Sequence, residues 1–300
     1  MEPLSFEINN FLVYLDKNMS ADPIDVSQST YPLNIELPSL KSLFIEMFYG
    51  EQFLSSGTAT LVANERGSHC ALITNRHNVT GRNQETDECL SKTLGIPDSI
   101  VIHFHKPGDD IGGWIKVKLP LYREDGSHSW IEHPSLGVDA DIVALNLNWG
   151  SDVLRLPYYL KLDLDRVGMV ISPAEPLSVI GFPFGLSTSG KLPIWATGFL
   201  AQELSLVTKE NPVFLVDCRT RQGQSGSPVI AFRTTGHRSI GEDGRTSASL
   251  SGKTVWEFLG IYSGRVNPES DLGKVWHVSA VQELLDAAEQ DMQDRQKNDQ

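Results

Sequence analysis

The 300-residue chain has few cysteines, few basic residues and no long apolar run. Three cysteines are an odd and sparse number for a disulfide framework. The 25 Lys and Arg are outnumbered by 38 Asp and Glu, which gives a formal net charge of −13. Nucleic-acid binding through phosphate contacts needs clustered basic residues, so this composition argues against a nucleic-acid partner. No apolar run approaches the ~20 residues that a membrane-spanning helix needs.

The N-terminal segment lacks the features of a secretory signal. Acidic residues at Glu2, Glu7 and Asp16 surround its short apolar stretch, and no basic residue precedes that stretch. The sparse cysteines are typical of a reducing compartment. The sequence therefore predicts a cytoplasmic protein without a membrane partner. Hydrophobic residues make up 40% of the chain and charged residues 21%, which is ordinary globular usage and provides for a sizeable core.

From Leu43 onward, short apolar runs alternate with Gly, Pro, Asn and Asp. Each run has the length of a strand and is rich in β-branched and aromatic residues, which predicts β-structure. The runs are LFIEMFY, GTATLVA, CALITN, SIVIHFH, WIKVKLPLY, ADIVALNL, LSVIGFP, PIWATGFL, VFLVDC, PVIAF and VWEFLGIYS. Many short strands in sequence are typical of a sandwich or a barrel.

One segment near the C terminus has helical periodicity instead. The apolar residues at helical spacing are Val281, Leu284, Leu285, Ala288 and Met292. Ser279 and Gln282 form a candidate capping box at its start. We therefore expect an all-β fold with a C-terminal α-helix. Residues 1–42 would be an arm or linker, residues 43–290 the folded domain, and residues 291–300 a polar tail that frays.

Three polar side chains that lie beside predicted strands form a candidate catalytic set. His77 follows the strand LIT, Asp141 precedes the strand IVALNL, and Ser225 lies in the turn GQSGSP. A serine hydroxyl is a poor nucleophile unless a base takes its proton, which is a role for His77. Asp141 would fix the tautomer of that imidazole, and the backbone N–H groups of Gly223 and Ser225 would stabilise an oxyanion.

These motifs resemble those of the trypsin/chymotrypsin superfamily, particularly its disulfide-poor bacterial branches. TNRHNV, DIVAL and GQSGSPV are similar to the segments around the family's histidine, aspartate and serine, and the order His, Asp, Ser is the family's order. The -SGSPV form is similar to glutamyl endopeptidases. VIGFPFGLSTSG and VDCRTRQGQSG resemble segments of HtrA-type proteases. Each motif alone is weak evidence for the resemblance, but the three motifs in the family's order are strong evidence together.

The resemblance covers residues 45 to 290 approximately and carries several expectations. It implies two antiparallel β-barrels that meet near residues 150–175, with a cleft between them. It implies a serine endopeptidase that acts on a protein or peptide substrate through an acyl-enzyme intermediate, without a cofactor or a metal. The activity of an intracellular protease needs to be regulated, so we also expect a regulatory protein partner.

The resemblance also implies which residues bind the substrate. Two walls of a primary pocket would be formed by Arg219, Thr220, Gln222, Tyr262, Ser263 and Gly264. Thr220 falls where glutamyl endopeptidases place a threonine, whereas Tyr262 falls where they place a histidine. Arg219 occupies the position of the aspartate that gives trypsin its preference for Lys and Arg. We therefore expect an acidic or uncharged substrate side chain.

Some candidate residues have plain structural alternatives. Asp139 lies two positions before Asp141, on the same side of an extended chain, and the D-I-x-x-L match favours Asp141. His103 and His105 share one face of a strand and form a possible metal pair, but the lack of a third ligand favours solvent exposure or core packing. Cys218 lies in an apolar strand and is expected to be buried and inert.

Two other function classes fit parts of the sequence. The first is a non-catalytic binding module on the same fold, against which the intact candidate set argues. The second is an α/β-hydrolase esterase, because Ser225, Asp271 and His277 occur in that order. The nucleophile elbow of that fold has the pattern G-x-S-x-G, however, and this chain has Ser227 at the last position.

Two further expectations concern the surroundings of the turn. The polar segment 233–254 is predicted to be a long surface loop beside the active site, which would gate substrates, bind a partner or be a disordered insertion. Gln224 carries no charge that could pair with a new N-terminal amine, so we expect no activation by N-terminal cleavage. Gln224 would instead hold the turn by neutral hydrogen bonds.

Overall fold

The computed structural model is mostly β-structure and ends in a long helix. Side chains are described for residues 35–107, 113–161, 165–188, 192–240, 245–250, 252–267 and 269–297. Backbone alone is described for residue 298 and for two short N-terminal strands, β1 (Ser5–Ile8) and β2 (Phe11–Tyr14), which pair antiparallel. The rest of the predicted N-terminal arm, up to residue 34, lies outside the described residues.

The first half of the chain forms an eight-stranded sheet that curls into a half-barrel. Its strands follow one another in the order β7-β6-β3-β4-β5-β9-β8, and β10 pairs with β4 in parallel. The strands are β3 (Ser42–Tyr49), β4 (Gln52–Ala63), β5 (Cys70–Thr74), β6 (Ser99–His105), β7 (Trp114–Pro120), β8 (Trp130–Glu132), β9 (Val143–Asn146) and β10 (Tyr158–Tyr159). Alternate residues such as Leu43, Ile45 and Met47 are buried inside it.

The second half forms a closed barrel in the order β11-β12-β13-β18-β17-β14. Its strands are β11 (Pro176–Gly181), β12 (Ile194–Leu200), β13 (Val213–Asp217), β14 (Pro228–Arg233), β17 (Val255–Arg265) and β18 (Leu272–His277). Phe214, Val229 and Val275 are fully buried in its interior. Closure leaves no unpaired sheet edge along most of the barrel.

The helices are few and, except for the last, short. They are α1 (Leu37–Lys41), α2 (Arg76–Thr80) and α3 (Val278–Asn298), with 3₁₀ turns at Pro183–Gly185 and Leu204–Leu206. Helix α3 buries Val281, Leu284 and Leu285 completely against the sheets. None of the described helices is both long enough and apolar enough to cross a bilayer.

The predicted fold class is confirmed, since a half-barrel, a closed six-stranded barrel and a C-terminal helix are all present. Two local expectations differ from the structure. Residues 37–41, expected in an arm, form α1, and Leu37, Leu40 and Lys41 are buried. The helix α3 extends to Asn298, so most of the segment expected to fray is helical.

The predicted capping box of α3 does not form. The helix begins at Val278, so Ser279 lies inside its first turn, and its N–H donates to Nδ1 of His277 (3.3 Å). The Gln282 amide donates to Oδ1 of Asn64 instead (2.9 Å). A histidine imidazole therefore caps this helix, because a neutral ring nitrogen accepts a hydrogen bond as a serine hydroxyl does.

The segment expected to be a long loop contains a β-hairpin. Strands β15 (Gly236–Ile240) and β16 (Thr246–Leu250) pair antiparallel, and Met169 pairs with Ser239 in an isolated bridge. The Arg238 guanidinium binds the Glu175 carboxylate. The hairpin thus lies beside residues 169–175, and none of its described residues lines the cleft identified below.

A buried ion pair joins α1 to the segment that connects the two barrels. Nζ of Lys41 donates to both carboxylate oxygens of Asp165 (2.6 and 2.7 Å) and to the Pro157 carbonyl (2.9 Å). Asp165 also accepts from the Trp256 indole (2.7 Å) and from the N–H of Tyr159 (2.8 Å). Burial lowers the pKa of Lys41, and Asp165 opposes that effect. The pair therefore ties three distant parts of the chain together.

Lys41→Met is expected to destabilise the fold by about 3–5 kcal/mol, because it leaves the buried Asp165 carboxylate without its counter-ion. Urea unfolding followed by circular dichroism measures this change. The matched control is Lys118→Met, which removes an exposed partner of Glu51 and is expected to change stability by less than about 0.5 kcal/mol. Equal losses of stability in the two variants would show that the buried ion pair stabilises the fold no more than the exposed one does.

The two histidines considered as a metal pair pack around one tryptophan. The ring of Trp114 contacts both His103 and His105, with centroids 5.2 Å away in each case. His103 is also hydrogen-bonded to Glu46 (2.7 Å) and contacts the Phe44 ring (5.0 Å). Among the described residues, no three His, Cys, Asp or Glu side chains cluster as metal ligands would. Packing accounts for both histidines.

Stability is expected to fall as the pH drops from about 6.5 to about 4. Burial lowers the pKa of His105 to about 4, and burial followed by Arg166 lowers that of His277 to about 4. Between these pH values the unfolded chain binds protons that the folded chain does not, so stability is fully present only above about 6.5.

His105→Leu is expected to reduce that pH dependence by up to about 1.4 kcal/mol per pH unit, which is the contribution of one proton. Urea unfolding at pH 4.5, 5.5 and 7 measures the slope. His128→Gln, which alters an exposed imidazole, serves as the control and should leave the slope unchanged. If both variants keep the wild-type slope, His105 is not the titrating group.

Candidate active site

A cleft of about 620 Å³ lies between the half-barrel and the closed barrel. One wall consists of residues 52–56 of β4 and of residues from the segment 77–97. The other wall comes from Gln222, Gly223 and Ser225 in the turn before β14, and from residues 263–267 at and just after the end of β17. His77, Asp141 and Ser225 all line this cleft, so the structure brings the three predicted side chains to one place.

His77 is held in a single helical turn that follows a buried strand. Strand β5 is buried along its whole length, and the chain then turns at Asn75 into α2. The helix ends where the N–H of Gly81 donates to the His77 carbonyl (3.0 Å). The Asn75 amide donates to the carbonyl of Asp141 (2.5 Å), which fixes the histidine turn against the segment that leads into β9.

Asp141 is the carboxylate that meets His77. It is 4% exposed, and its Oδ2 lies 2.7 Å from His77 Nδ1. Its Oδ1 accepts from the backbone N–H of His77 (3.0 Å), and its Oδ2 also accepts from the Ser263 hydroxyl (2.5 Å). A carboxylate can only accept, so a neutral His77 carries its proton on Nδ1 and leaves Nε2 as an acceptor. Asp139, its rival, is exposed.

The turn that carries Ser225 is held by its own hydrogen bonds. Oε1 of Gln224 accepts from the N–H of Arg221 (2.7 Å), so this residue stabilises the turn without a charge, as expected. The Ser225 carbonyl accepts from the N–H of Thr58 (3.0 Å). The Ser225 hydroxyl donates to the Ser263 carbonyl (3.0 Å), and no hydrogen bond joins it to His77 within the described part of the chain.

Two backbone N–H groups beside the serine have no acceptor among the described residues. They belong to Gly223 and Ser225. The Gln222 carbonyl accepts from the N–H of Phe184 (2.6 Å), and in a trans peptide the N–H of the next residue points the opposite way. Gly223 has φ +95°, and a Cβ there would collide with the Phe182 carbonyl, so only glycine permits this arrangement.

The predicted substrate-binding residues divide into two groups. Gln222, Ser263 and Gly264 line the cleft. Arg219, Thr220 and Tyr262 are not among its lining residues. Arg219 is exposed and lies 3.4 Å from the Asp271 carboxylate. Thr220 and Tyr262 are buried, and their hydroxyls are hydrogen-bonded to each other. Ser263 does more than line the cleft, because its hydroxyl also donates a hydrogen bond to the Asp141 carboxylate.

Thr58 is a part of the site that the sequence does not indicate. Its hydroxyl donates to the Gly223 carbonyl (2.8 Å) and accepts from the N–H of Phe182 (3.2 Å). It lies in the apolar strand β4, where nothing in the local pattern distinguishes it from a core threonine. Thr58 thus joins the half-barrel to the turn that carries Ser225.

The buried cysteines are poor rivals to the serine as nucleophiles. Burial raises the pKa of Cys70 to about 12, with Arg155 opposing that effect. Burial and the neighbouring Asp217 and Asp271 raise the pKa of Cys218 to about 11. A thiol must be deprotonated to attack, so neither has an appreciable thiolate fraction near neutral pH. The burial expected of Cys218 is confirmed.

Comparison with known proteins gave matches only to solved structures. No protein-family model matches the chain, and no curated protein matches it. The serine endoprotease from Yersinia pestis matches with a TM-score of 0.46 at 12% identity, over 84% of this chain and 64% of that chain. This chain therefore covers less than two thirds of the Yersinia protein.

Another solved structure in this group is a protease from Mycobacterium tuberculosis. The Rv3671c protease in its active form matches with a TM-score of 0.42 at 13% identity, over 83% of this chain and 81% of that chain. Its inactive form matches with the same TM-score at 14% identity, over 83% and 88% of the two chains. These matched structures are proteases.

Proposed function

We propose that the chain is a serine endopeptidase that hydrolyses peptide bonds with His77, Asp141 and Ser225. The observation that carries this proposal is the 2.7 Å contact between His77 Nδ1 and the buried Asp141, in a cleft that Ser225 also lines. A histidine oriented by a carboxylate, next to a serine in a glycine-flanked turn, is the arrangement that activates a hydroxyl for attack.

The first chemical step requires a rotation of the Ser225 hydroxyl. Its hydroxyl leaves the Ser263 carbonyl and turns towards Nε2 of His77, which takes the proton as Oγ attacks the substrate carbonyl. Catalytic hydrogen bonds are often unformed before substrate binds, so this rotation is an ordinary part of such a reaction. Asp141 stabilises the imidazolium that results, and His77 then gives the proton to the leaving amine.

The developing oxyanion would lie between the N–H groups of Gly223 and Ser225. Both lack an acceptor among the described residues, and both residues line the cleft. Donors fixed in advance stabilise the tetrahedral intermediate without reorganisation, and losing one typically lowers the rate by ~10²–10³-fold. The acyl-enzyme on Ser225 is then hydrolysed when His77 activates a water molecule.

The substrate backbone would add to the end of β17. The pairing of β14 with β17 ends at Ile261, whereas β18 continues to pair with Gly264 and Arg265. At Ser263 and Gly264, one edge of β17 therefore faces the cleft without a neighbouring strand among the described residues. An extended peptide can form strand-like hydrogen bonds with such an edge, which suits a protein or peptide substrate.

We further propose a cytoplasmic location and control by a protein partner. All three cysteines are free, which is typical of a reducing compartment. The uncharged Gln224 orders the turn of Ser225 through the N–H of Arg221, so no cleaved N terminus is needed for that purpose. Binding of a partner is then a simpler means of control than chain cleavage.

The rival esterase set is not brought together. Among the described contacts, Asp271 meets the exposed Arg219, and His277 caps α3 through Ser279. Neither lines the cleft that contains Ser225. A silent binding module would not need the hydrogen-bonded His77 and Asp141 beside an available serine.

Labelling with a fluorophosphonate tests the proposed function. We expect the purified, folded chain to be labelled on Ser225, as identified by peptide mass mapping, and to cleave members of a random peptide library. Absence of both labelling and cleavage in a chain with native circular dichroism would favour the silent binding module. Turnover of simple esters without peptides would favour an esterase.

A further inference from the structure

Tyr262 lies in β17 directly before Ser263, whose carbonyl accepts the hydrogen bond of the Ser225 hydroxyl. A substrate strand on the edge at Ser263 and Gly264 brings its reacting carbonyl to Ser225. The side chain that precedes this carbonyl would then enter the gap between the end of β17 and the segment at Gln222. Gln222, Ser263 and Gly264 line the cleft on the two sides of this gap, whereas Thr220 and Tyr262 do not line the cleft.

Thr220 and Tyr262 close the inner end of this gap. The residues belong to opposite walls, and a hydrogen bond joins their hydroxyls. Tyr262 is 2% exposed and Thr220 is 0% exposed, so solvent hardly reaches either residue. The neighbouring strand β18 makes room for the ring at Gly273, where a Cβ would collide with it. The Tyr262 ring therefore fills space that a smaller side chain at position 262 would leave empty.

We propose that Tyr262 is a specificity-determining residue that restricts the substrate side chain before the cleaved bond to that of Gly, Ala or Ser. This inference rests on the proposed function and narrows it. Interiors are packed too closely for a tyrosine ring and a long or branched side chain to share one gap. The two hydroxyls bind each other and carry no charge, so they offer no counter-ion to an acidic or basic side chain.

The neutrality of the Tyr262 hydroxyl follows from its surroundings. Burial raises the pKa of Tyr262 to about 12, and the hydrogen bond with Thr220 opposes that effect. The phenol thus stays protonated near neutral pH and can donate to Thr220. The sequence-based expectation of an acidic or uncharged substrate side chain is thereby narrowed to a small uncharged one.

Peptides that differ only in the residue before the cleaved bond test this proposal. For the wild-type chain, we expect kcat/KM to be ~10-fold or more higher for Ala than for Leu, Phe or Glu at that position. Tyr262→Ala should raise the ratio of kcat/KM for Leu over Ala by ~10-fold or more, because it opens the gap. Tyr262→Phe keeps the ring and should keep the wild-type preference.

The ratio for two peptides on one preparation does not depend on how much of the chain is folded. It therefore remains informative where Tyr262→Ala lowers the yield, and Tyr262→Val provides a second, less drastic truncation. Tyr159→Ala is the matched control, since it removes a partly buried tyrosine that does not line the cleft. The ratio of kcat/KM for Leu over Ala in Tyr159→Ala should equal that of the wild type.

A fluorophosphonate without a substrate side chain separates the two proposals. Labelling of Ser225 together with a wild-type preference for Leu, Phe or Glu would overturn this inference and leave the proposed function standing. An unchanged ratio in both Tyr262→Ala and Tyr262→Val would also overturn it. If neither labelling nor cleavage occurs in the folded chain, the proposed function fails and this inference fails with it.

Discussion

Ser225→Ala is expected to lower peptide turnover by ~10⁴-fold or more while leaving the fold intact. Among the described residues the hydroxyl forms one hydrogen bond, to the Ser263 carbonyl, and the backbone contacts of the turn do not depend on it. Alanine fits the space that serine leaves, so stability should change little. Steady-state kinetics on a peptide that the wild type cleaves, together with thermal unfolding, measures both quantities.

Ser227 provides a matched control two residues further along the same turn. It is fully buried, and its hydroxyl has no hydrogen-bond partner among the described residues. Ser227→Ala changes the same atom in the same turn without touching the proposed chemistry, so turnover should stay within a few-fold of the wild type. Loss of activity in both variants alike would show that the turn, and not the Ser225 hydroxyl, limits the reaction.

The strands of the two barrels are predictable because burial imposes a pattern on their sequences. Runs such as LFIEMFY and VFLVDC place apolar residues on the faces that β3 and β13 bury. The hairpin of β15 and β16 has no such pattern, because every residue of β16 is exposed. The sequence of a strand without a buried face resembles that of a polar loop, which is why the loop prediction for the segment 233–254 is wrong.

Residues of the candidate site can be predicted from the sequence where a short motif marks them. Contacts between residues that are far apart in the chain cannot be predicted in this way. His77, Asp141 and Ser225 each lie next to a recognisable strand, and the structure brings them to one cleft. Thr58 lies in the half-barrel, and its hydroxyl donates to the Gly223 carbonyl in the turn before β14. The two residues are far apart in the sequence, so no local pattern predicts their contact. The resemblance predicts Tyr262 as a pocket wall, but it does not predict that Tyr262 is buried with its hydroxyl bound to Thr220.

Asp141→Asn is expected to lower turnover by ~10⁴-fold, and Asp139→Asn by no more than a few-fold. The two substitutions are chemically identical and lie two residues apart. Asp139 is exposed, and the His77 imidazole contacts Asp141. Kinetics of the two variants on one peptide therefore distinguishes the carboxylate that orients the histidine from its neighbour. Equal losses, or a larger loss for Asp139→Asn, would reverse the assignment.

The size of the Asp141 effect follows from the donors around its carboxylate. Oδ1 accepts from the backbone N–H of His77, and Oδ2 accepts from His77 Nδ1 and the Ser263 hydroxyl. An asparagine must place its NH₂ at one of these two positions. The backbone N–H can only donate, so the amide oxygen takes the first position and the NH₂ faces Nδ1. Nδ1 then becomes the acceptor and the proton moves to Nε2. Held in that tautomer, His77 cannot take the proton of Ser225, although every side chain remains in place.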